Sequence, residues 1–162
     1  MKIRRAEKSD AKEISRIYNQ AVENSVATFD IVKETANNRE GWLMVFGNHY
    51  PIFVAIDNNE DVIGWGALTP YDKKLGYNRT VELSIYVDVL HREKGAGKML
   101  AEALIEAGKK AKFHLIVSRI AGNNSISEQI HQKFGFEKMG VLKEAGYKFN
   151  RYVDVVFYQL LL

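Results

Sequence analysis

Hydrophobic and polar positions follow two periods along the chain, and each period predicts its own kind of element. Residues 80–87 alternate strictly, which predicts a strand with Glu82, Ser84 and Tyr86 together on one face. Elsewhere, apolar residues recur at spacings of three and four, as on one side of a helix. This spacing predicts four helices: one opening at Asp10, one around Arg39–Phe46, one from Gly97 to about Ala111 and one over Asn124–Phe134.

Shorter apolar segments complete a mixed sheet. Six of them are predicted as further strands: Lys2–Arg5, Ile52–Ile56, Val62–Leu68, Leu115–Ile120, Glu137–Leu142 and one near Tyr152–Leu161. This order predicts antiparallel pairing early in the chain and a βαβ crossover late in it. Because no Gly-, Ser- or Pro-rich boundary divides the sequence, residues 1–162 are expected to form one α/β (α+β) domain.

The composition narrows the classes of function. The 162 residues are 46% hydrophobic and include no cysteine, which favours a packed core and excludes disulfides, Cys-ligated zinc and a cysteine nucleophile. A net charge of +3 is too small to indicate nucleic acid as a partner. His49, His91 and His114 lack metal-ligand spacing, so no metal is expected. A charged N-terminus and short apolar runs predict a cytoplasmic protein without a membrane partner.

The most informative segment is a glycine-containing loop between a strand and a helix. It reads Arg92-x-x-Gly95-x-Gly97, with Lys94 and Lys98 as further positive charges. The first N–H groups of a helix are unpaired and its dipole favours an anion, while glycines let the backbone close around phosphate oxygens. The loop is therefore predicted to bind phosphate, although the same glycines also suit a simple strand-to-helix turn.

Two common phosphate loops do not fit this segment. A Walker A loop requires glycine where Arg92 stands and Ser or Thr where Met99 stands. A dinucleotide fingerprint requires a third small residue where Leu100 stands. The predicted ligand is therefore neither a nucleoside triphosphate nor NAD.

Several short motifs accompany the loop: Thr28-Phe29, Arg39 with Trp42, residues 77–87, Asn124–His131, Phe134–Phe136 and Ala145–Lys148. With them, the chain resembles the GNAT superfamily of acetyl-CoA-dependent N-acyltransferases, whose pyrophosphate loop reads Gln/Arg-x-x-Gly-x-Gly/Ala. Within it, the chain is similar to the phosphinothricin or methionine sulfoximine acetyltransferases. The resemblance covers nearly the whole chain. It implies a mixed central sheet of about seven strands with helices on both faces.

The resemblance implies acetyl-CoA as co-substrate. Its pyrophosphate would lie on the glycine loop, and its pantetheine between strand 80–87 and the strand Leu115–Ile120, which would splay apart. A backbone N–H around Ser84 and Ile85 would stabilise the oxyanion of acetyl transfer. The residues expected at the cofactor are Ser84, Ile85, Tyr86, Val87, Arg92, Glu93, Lys94, Gly95, Ala96, Gly97, Lys98, Asn124 and Lys133.

Two residues are candidates for proton transfer. Glu82 is the expected general base, because an acceptor amine is mostly protonated at neutral pH and only its free base attacks a thioester. A glutamate on the open face of a strand is otherwise simply solvated. His131 stands where many family members have a tyrosine that protonates the leaving thiolate of CoA, and it equally suits helix packing. Tyr86 and Tyr147 are rival donors.

The acceptor is expected to contact two variable loops through Phe29, Arg39, Lys74, Tyr77 and Arg79. An amino-acid-like acceptor carries a carboxylate, which requires a cation or N–H groups. The related branch often has arginine at the position of Lys74 and prolines at the position of Val32-Lys33-Glu34. Both departures argue against phosphinothricin itself as the acceptor.

The sequence therefore predicts an N-acetyltransferase that moves an acetyl group from acetyl-CoA to the amine of a small amino-acid-like acceptor. Direct transfer in a ternary complex is expected, since no cysteine can carry the acetyl group. Two alternatives stay open: a protein or peptide N-acetyltransferase, and a non-catalytic CoA-binding sensor. The resemblance also suggests a homodimer.

Overall fold

The protein is described by a computed structural model that covers residues 1–162. Seven strands form one mixed sheet: β1 Lys2–Arg5, β2 Ile52–Ile56, β3 Val62–Pro70, β4 Thr80–Val87, β5 Leu115–Ala121, β6 Glu137–Lys148 and β7 Arg151–Leu161. Four α-helices accompany it: α1 Ala11–Asn24, α2 Ala36–Phe46, α3 Ala96–Lys110 and α4 Ser125–Lys133. The predicted fold class is confirmed.

The sheet opens between its two parallel strands. Its order is β1-β2-β3-β4-β5-β7-β6, and β4–β5 is its one parallel pair. These two strands pair only at Thr80–Leu115, Val81–Ile116 and Glu82–Val117. Beyond Glu82 the pairing ends, while β5 continues along β7 and β4 along β3. The second half of β4 therefore borders a gap, as the resemblance implied.

Helices cover both faces of the sheet. Ile14 and Ile17 of α1 pack with Trp65 of β3 on one face, and Leu104 of α3 packs with Leu68 of β3 on the other. A Cβ at Gly66 would lie 2.8 Å from Cδ1 of Leu104, so glycine permits the close approach of α3. No helix has both the length and the apolar character needed to cross a membrane.

Strand β6 is longer than the sequence pattern predicts, ending at Lys148 instead of Leu142. A register shift against β7 between Leu142 and Gly146 interrupts the alternation of side chains. The strands then join through Phe149 and Asn150, whose φ angles of 53° and 56° are typical of a tight hairpin turn. Because the register shift removes the alternation beyond Leu142, the sequence pattern does not show where β6 ends.

Candidate active site

A groove of about 1020 Å³ opens at the start of α3 and is called here the α3 groove. Gly95 caps the helix at φ 94°, a conformation that favours glycine. The first amides of α3 have no acceptor within the helix and form the positive end of its dipole. A Cβ at Gly97 would meet only Val87 Cγ2 at 3.7 Å and Ile130 Cδ1 at 4.0 Å. Packing within the chain therefore does not require glycine here, and the open backbone suits the close approach of a phosphate.

Most of the predicted cofactor residues line this groove: Ile85, Tyr86, Val87, Arg92, Glu93, Gly95, Ala96, Gly97, Lys98 and Asn124. Three lie elsewhere. Ser84 lines the neighbouring cleft. Lys94 belongs to the loop, but its Nζ donates to the carbonyl of Leu90 at 2.9 Å. Lys133 is exposed at the end of α4 and lines neither cavity.

A second cavity of about 640 Å³ lies at the gap between the parallel strands and is called here the β4–β5 cleft. Residues of both strands line it, and Ile85, Asn124, Ser127 and His131 belong to its wall and to that of the α3 groove. The two cavities are therefore contiguous. A long ligand lying in the groove can reach the cleft through the gap.

Glu82 lies in the wall of this cleft and forms a bidentate ion pair with Arg119. Arg119 Nε donates to Oε1 at 2.7 Å, and Nη2 donates to Oε2 at 2.6 Å. The Glu82 side chain is 18% exposed, whereas that of Arg119 is 54% exposed. The guanidinium thus fixes the carboxylate while keeping a face of its own in solvent.

Sequence reasoning did not anticipate Arg119. Val117 pairs with Glu82, so the side chain two residues further along β5 lies on the same face as Glu82. The available signal was one arginine in the segment Leu115–Ala121, which is apolar apart from Ser118 and Arg119. Its meaning depended on the register between two strands that are far apart in the sequence.

His131 is buried and both of its ring nitrogens are engaged. Nδ1 lies 2.7 Å from the carbonyl oxygen of Ser127, which can only accept, so Nδ1 carries the hydrogen. Nε2 lies 2.7 Å from Ser118 Oγ and therefore accepts the hydroxyl hydrogen. Burial lowers the pKa of His131, which leaves the ring neutral at pH 7. In this state no ring N–H of His131 is free to act as a proton donor.

The two tyrosines considered as alternative donors occupy packing positions. The Tyr86 ring stacks on Trp65 with centroids 5.0 Å apart and meets Tyr18 edge-on. Burial raises the pKa of Tyr86. Tyr147 lies on the outer hairpin against Tyr152, is more than half exposed, and lines neither cavity.

Of the predicted acceptor residues, Phe29 lines the β4–β5 cleft. Its ring lies directly over Gly146, where any Cβ would overlap it. Arg39 is buried, with its guanidinium carbon 4.3 Å from the centroid of the Tyr18 ring and 5.2 Å from that of Trp65. It lines neither cavity.

The remaining three acceptor candidates are Lys74, Tyr77 and Arg79, which lie on the exposed connection between β3 and β4 and line neither cavity. Within one chain, the structure therefore brings Phe29 together with Glu82 and His131, and it leaves the other acceptor candidates apart. The histidines and carboxylates form no cluster that could hold a metal ion.

The loop that carries Phe29 is fixed by a buried lysine from the end of β6. Lys148 Nζ donates to the carbonyls of Ala21, Ser25 and Thr28 at 3.2, 2.8 and 2.8 Å. These carbonyls belong to the end of α1 and to residues 25–28 that follow it. Lys148 thus connects the outer hairpin to one wall of the cleft.

A parallel strand pair that parts beside a glycine-capped helix start, with a carboxylate at the gap, is the arrangement that the resemblance to acyl-CoA-dependent N-acyltransferases implies. In agreement, residues 3–157 match the acetyltransferase (GNAT) domain family. The chain belongs to this family.

Two curated relatives match the sequence over nearly the full chain. The L-methionine sulfoximine/L-methionine sulfone acetyltransferase of Pseudomonas aeruginosa is 36% identical over 99% of this chain and 94% of its own length. The L-amino acid N-acyltransferase of Escherichia coli is 34% identical over 100% of this chain and 94% of its own. The predicted resemblance to this branch of the family is confirmed.

Two solved structures are also close. A phosphinothricin acetyltransferase from Sinorhizobium meliloti in complex with acetyl-CoA superposes with a TM-score of 0.95, at 31% identity over 99% of this chain and 88% of its own. A ribosomal-protein-alanine N-acetyltransferase from Brucella melitensis gives a TM-score of 0.96, at 34% identity and complete coverage of both chains.

Proposed function

We propose that this protein transfers an acetyl group from acetyl-CoA to the amine of a small amino-acid-like acceptor, directly within a ternary complex. One observation carries the proposal: the α3 groove and the β4–β5 cleft meet at the gap between the parallel strands, where Glu82 lies. A donor in the groove and an acceptor in the cleft would meet beside a carboxylate. The acetyl-CoA complex of the Sinorhizobium neighbour supports the donor.

The groove has features suited to a CoA diphosphate. The amides of Ala96, Gly97 and Lys98 would hold the phosphate oxygens, and the absence of side chains at Gly95 and Gly97 leaves them accessible. Bound there, acetyl-CoA supplies a thioester carbonyl for attack. The unpaired backbone of β4 beyond Glu82 would receive the pantetheine as an added strand and offer an N–H to the oxyanion.

Glu82 acts in this proposal as the general base. Each carboxylate oxygen accepts one hydrogen bond from Arg119 and keeps a further lone pair for an acceptor proton. The amine would lose its proton to Glu82, directly or through a water, and then attack the thioester carbon.

His131 requires Ser118 for any proton transfer to the CoA thiolate. Nε2 of the neutral ring can take up a proton only through the hydroxyl that it holds, and it returns one by the same path. After Glu82 has taken the first proton of the ammonium group, the pair would receive the second, which the nitrogen loses once the C–N bond has formed, and pass it to the sulfur as the C–S bond breaks. Glu82 then releases its proton to solvent. Ser118 and His131 both line the β4–β5 cleft, which supports this role.

A protein or peptide acceptor is the second candidate, favoured by the name of the Brucella neighbour. The contact of the Phe29 ring with Gly146 argues against it, since this contact brings the Phe29 loop against β6 beside Ala145, which also lines the cleft, and leaves less room for an extended peptide. Mass spectrometry of peptide mixtures incubated with acetyl-CoA separates the two candidates. A non-catalytic CoA sensor would bind CoA and release none from acetyl-CoA with any acceptor.

We also expect a homodimer and a cytoplasmic location. Strand β6 is an outermost strand with no partner beyond it, and Met139, Leu142 and Tyr147 on it are each more than half exposed. An unpaired apolar edge of this length favours association with a second copy.

The deciding experiment is a thiol-release assay with acetyl-CoA and a panel of amino acids, methionine sulfone, methionine sulfoximine and phosphinothricin. Glu82→Gln should lower kcat by roughly 10²–10⁴-fold and leave CoA affinity near that of the wild type, because only the base is lost. Glu106→Gln, on the exposed side of α3, is the matched control. Unchanged turnover in Glu82→Gln would remove Glu82 from the mechanism.

A further inference from the structure

We propose that Arg119 binds the carboxylate of the acceptor while it holds Glu82, so that the protein selects free α-amino acids. This inference rests on the proposed function and deepens it. It assigns a substrate contact to a residue that the sequence pattern did not single out.

The first argument is the charge of the cleft. Arg119 is the only lysine or arginine among the residues that line the β4–β5 cleft, and the carboxylates there are Asp30 and Glu82. Lys148, close behind the Phe29 loop, already donates to three backbone carbonyls and is buried. An acceptor carboxylate that enters this cleft therefore has one cation available to it within the chain.

The second argument is the unused part of the guanidinium. Arginine has five N–H donors, of which Arg119 gives one from Nε and one from Nη2 to Glu82. Nη1 makes no hydrogen bond, and the side chain is 54% exposed. The edge formed by Nη1 and the second Nη2 hydrogen can hold another carboxylate in the bidentate manner that arginine favours.

The third argument is the position that this gives to the amine. Two carboxylates on neighbouring edges of one planar guanidinium lie side by side. In an α-amino acid, the nitrogen is separated from the carboxylate carbon by a single carbon atom. The α-amine would then lie beside Glu82, whereas the terminal amine of a lysine side chain would lie several bonds away. Arg119 would thereby couple recognition of the carboxylate to deprotonation of the amine.

The cleft also complements the whole zwitterion. Asp30 accepts a hydrogen bond from the Tyr18 hydroxyl and faces the same cavity as Glu82. The two carboxylates would attract an incoming ammonium group, and Arg119 would attract the carboxylate. An amidated or decarboxylated acceptor keeps only the first attraction and leaves the free edge of Arg119 unpaired.

The test compares methionine sulfone with its primary amide in wild type, Arg119→Gln and Arg119→Lys. Wild type should favour the acid by roughly 10- to 100-fold in kcat/KM, as expected for lost hydrogen bonds to a charged group. Arg119→Gln should bring this ratio close to one, mainly through a higher KM for the acid. Arg119→Lys should give an intermediate ratio, since it keeps the charge without the fork.

Two controls separate recognition from positioning. If Arg119 only positioned Glu82, Arg119→Gln would lower the turnover of acid and amide by the same factor and preserve their ratio. Glu82→Gln should show this behaviour. An unchanged ratio in Arg119→Gln, or equal use of acid and amide by wild type, overturns the inference. Lys110→Gln, at the exposed end of α3, should leave the ratio unchanged. Circular dichroism and a thermal melt confirm that each variant is folded.

A binding measurement keeps the inference testable without turnover. Calorimetric titration of methionine sulfone into protein saturated with CoA should show binding that is roughly 10- to 100-fold weaker in Arg119→Gln, and the amide should bind wild type more weakly by a similar factor. If this holds while no acceptor releases CoA, the proposed enzymatic function fails and the carboxylate site stands. If neither the acid nor the amide binds, the inference is wrong.

Discussion

Ser118 and His131 form a hydrogen-bonded pair whose hydrogen positions are set by their neighbours. The Ser127 carbonyl holds the Nδ1 hydrogen, and Ser118 gives its hydrogen to Nε2. We expect Ser118→Ala to lower kcat by roughly 10- to 100-fold, because a proton can no longer pass between His131 and the reacting groups. KM for acetyl-CoA should change little. Steady-state kinetics with acetyl-CoA and the best acceptor measure both quantities.

The matched control for this prediction is Ser125→Ala, at the exposed start of the same helix α4. It should turn over acetyl-CoA as wild type does. If Ser118→Ala retains full kcat while His131→Gln loses it, the proton does not travel through the hydroxyl, and His131 must act on the substrates directly.

Glu82 and Arg119 differ in how far a sequence pattern can predict their functional roles. Glu82 could be predicted because eight residues of strict alternation placed it on one face of a strand, next to a recognisable anion loop. Arg119 could not, because its function follows from a parallel register that ends at Glu82 and Val117. Arg39 is expected at the acceptor because of its place in a variable loop beside the cleft, whereas the structure surrounds it with aromatic rings. Contacts between distant segments decide such roles.

Among the elements, the hairpin of β6 and β7 supports the cleft from outside. The Lys148 ammonium donates to three carbonyls of the segment that precedes Phe29, and Gly146 receives the Phe29 ring. We expect Lys148→Met to raise KM for the acceptor by roughly tenfold. It should also lower the free energy of unfolding by about 1–3 kcal/mol, since buried carbonyls lose a charged donor. Initial-rate kinetics and urea denaturation measure these effects.

Lys143→Met is the control for this element. Lys143 lies on the same strand, its side chain is 78% exposed, and its partner is the surface carboxylate of Asp154. Exposed ion pairs contribute little to stability, so this variant should resemble wild type in both measurements. Equal effects of Lys143→Met and Lys148→Met would mean that the hairpin, and not the buried ammonium, supports the Phe29 loop.

The sequence pattern predicts the ends of most helices and strands to within a few residues, and its largest error is the end of β6 in this hairpin. Hydrophobic periodicity predicts α1 and β4 correctly because one side of each element is buried and the other faces solvent. It fails on β6, where nearly every side chain up to Ala145 is exposed and a register shift removes the alternation. A strand without a buried face leaves no hydrophobic pattern to detect.

At the scale of the whole molecule, that same strand is an unusual surface for an isolated chain. It is the outermost strand of the sheet and spans twelve residues, and Met139 and Leu142 on it are 56% and 54% exposed. Long apolar edges that stay uncovered lead to uncontrolled association.

We therefore expect wild type to sediment with the mass of two 18.5 kDa chains. The variant Met139→Glu, at a residue that lines neither cavity, should sediment as one, because two buried like charges would oppose the contact. Val45→Glu, on the exposed side of α2, should keep the dimer, and a monomeric wild type in analytical ultracentrifugation would show that β6 needs no partner.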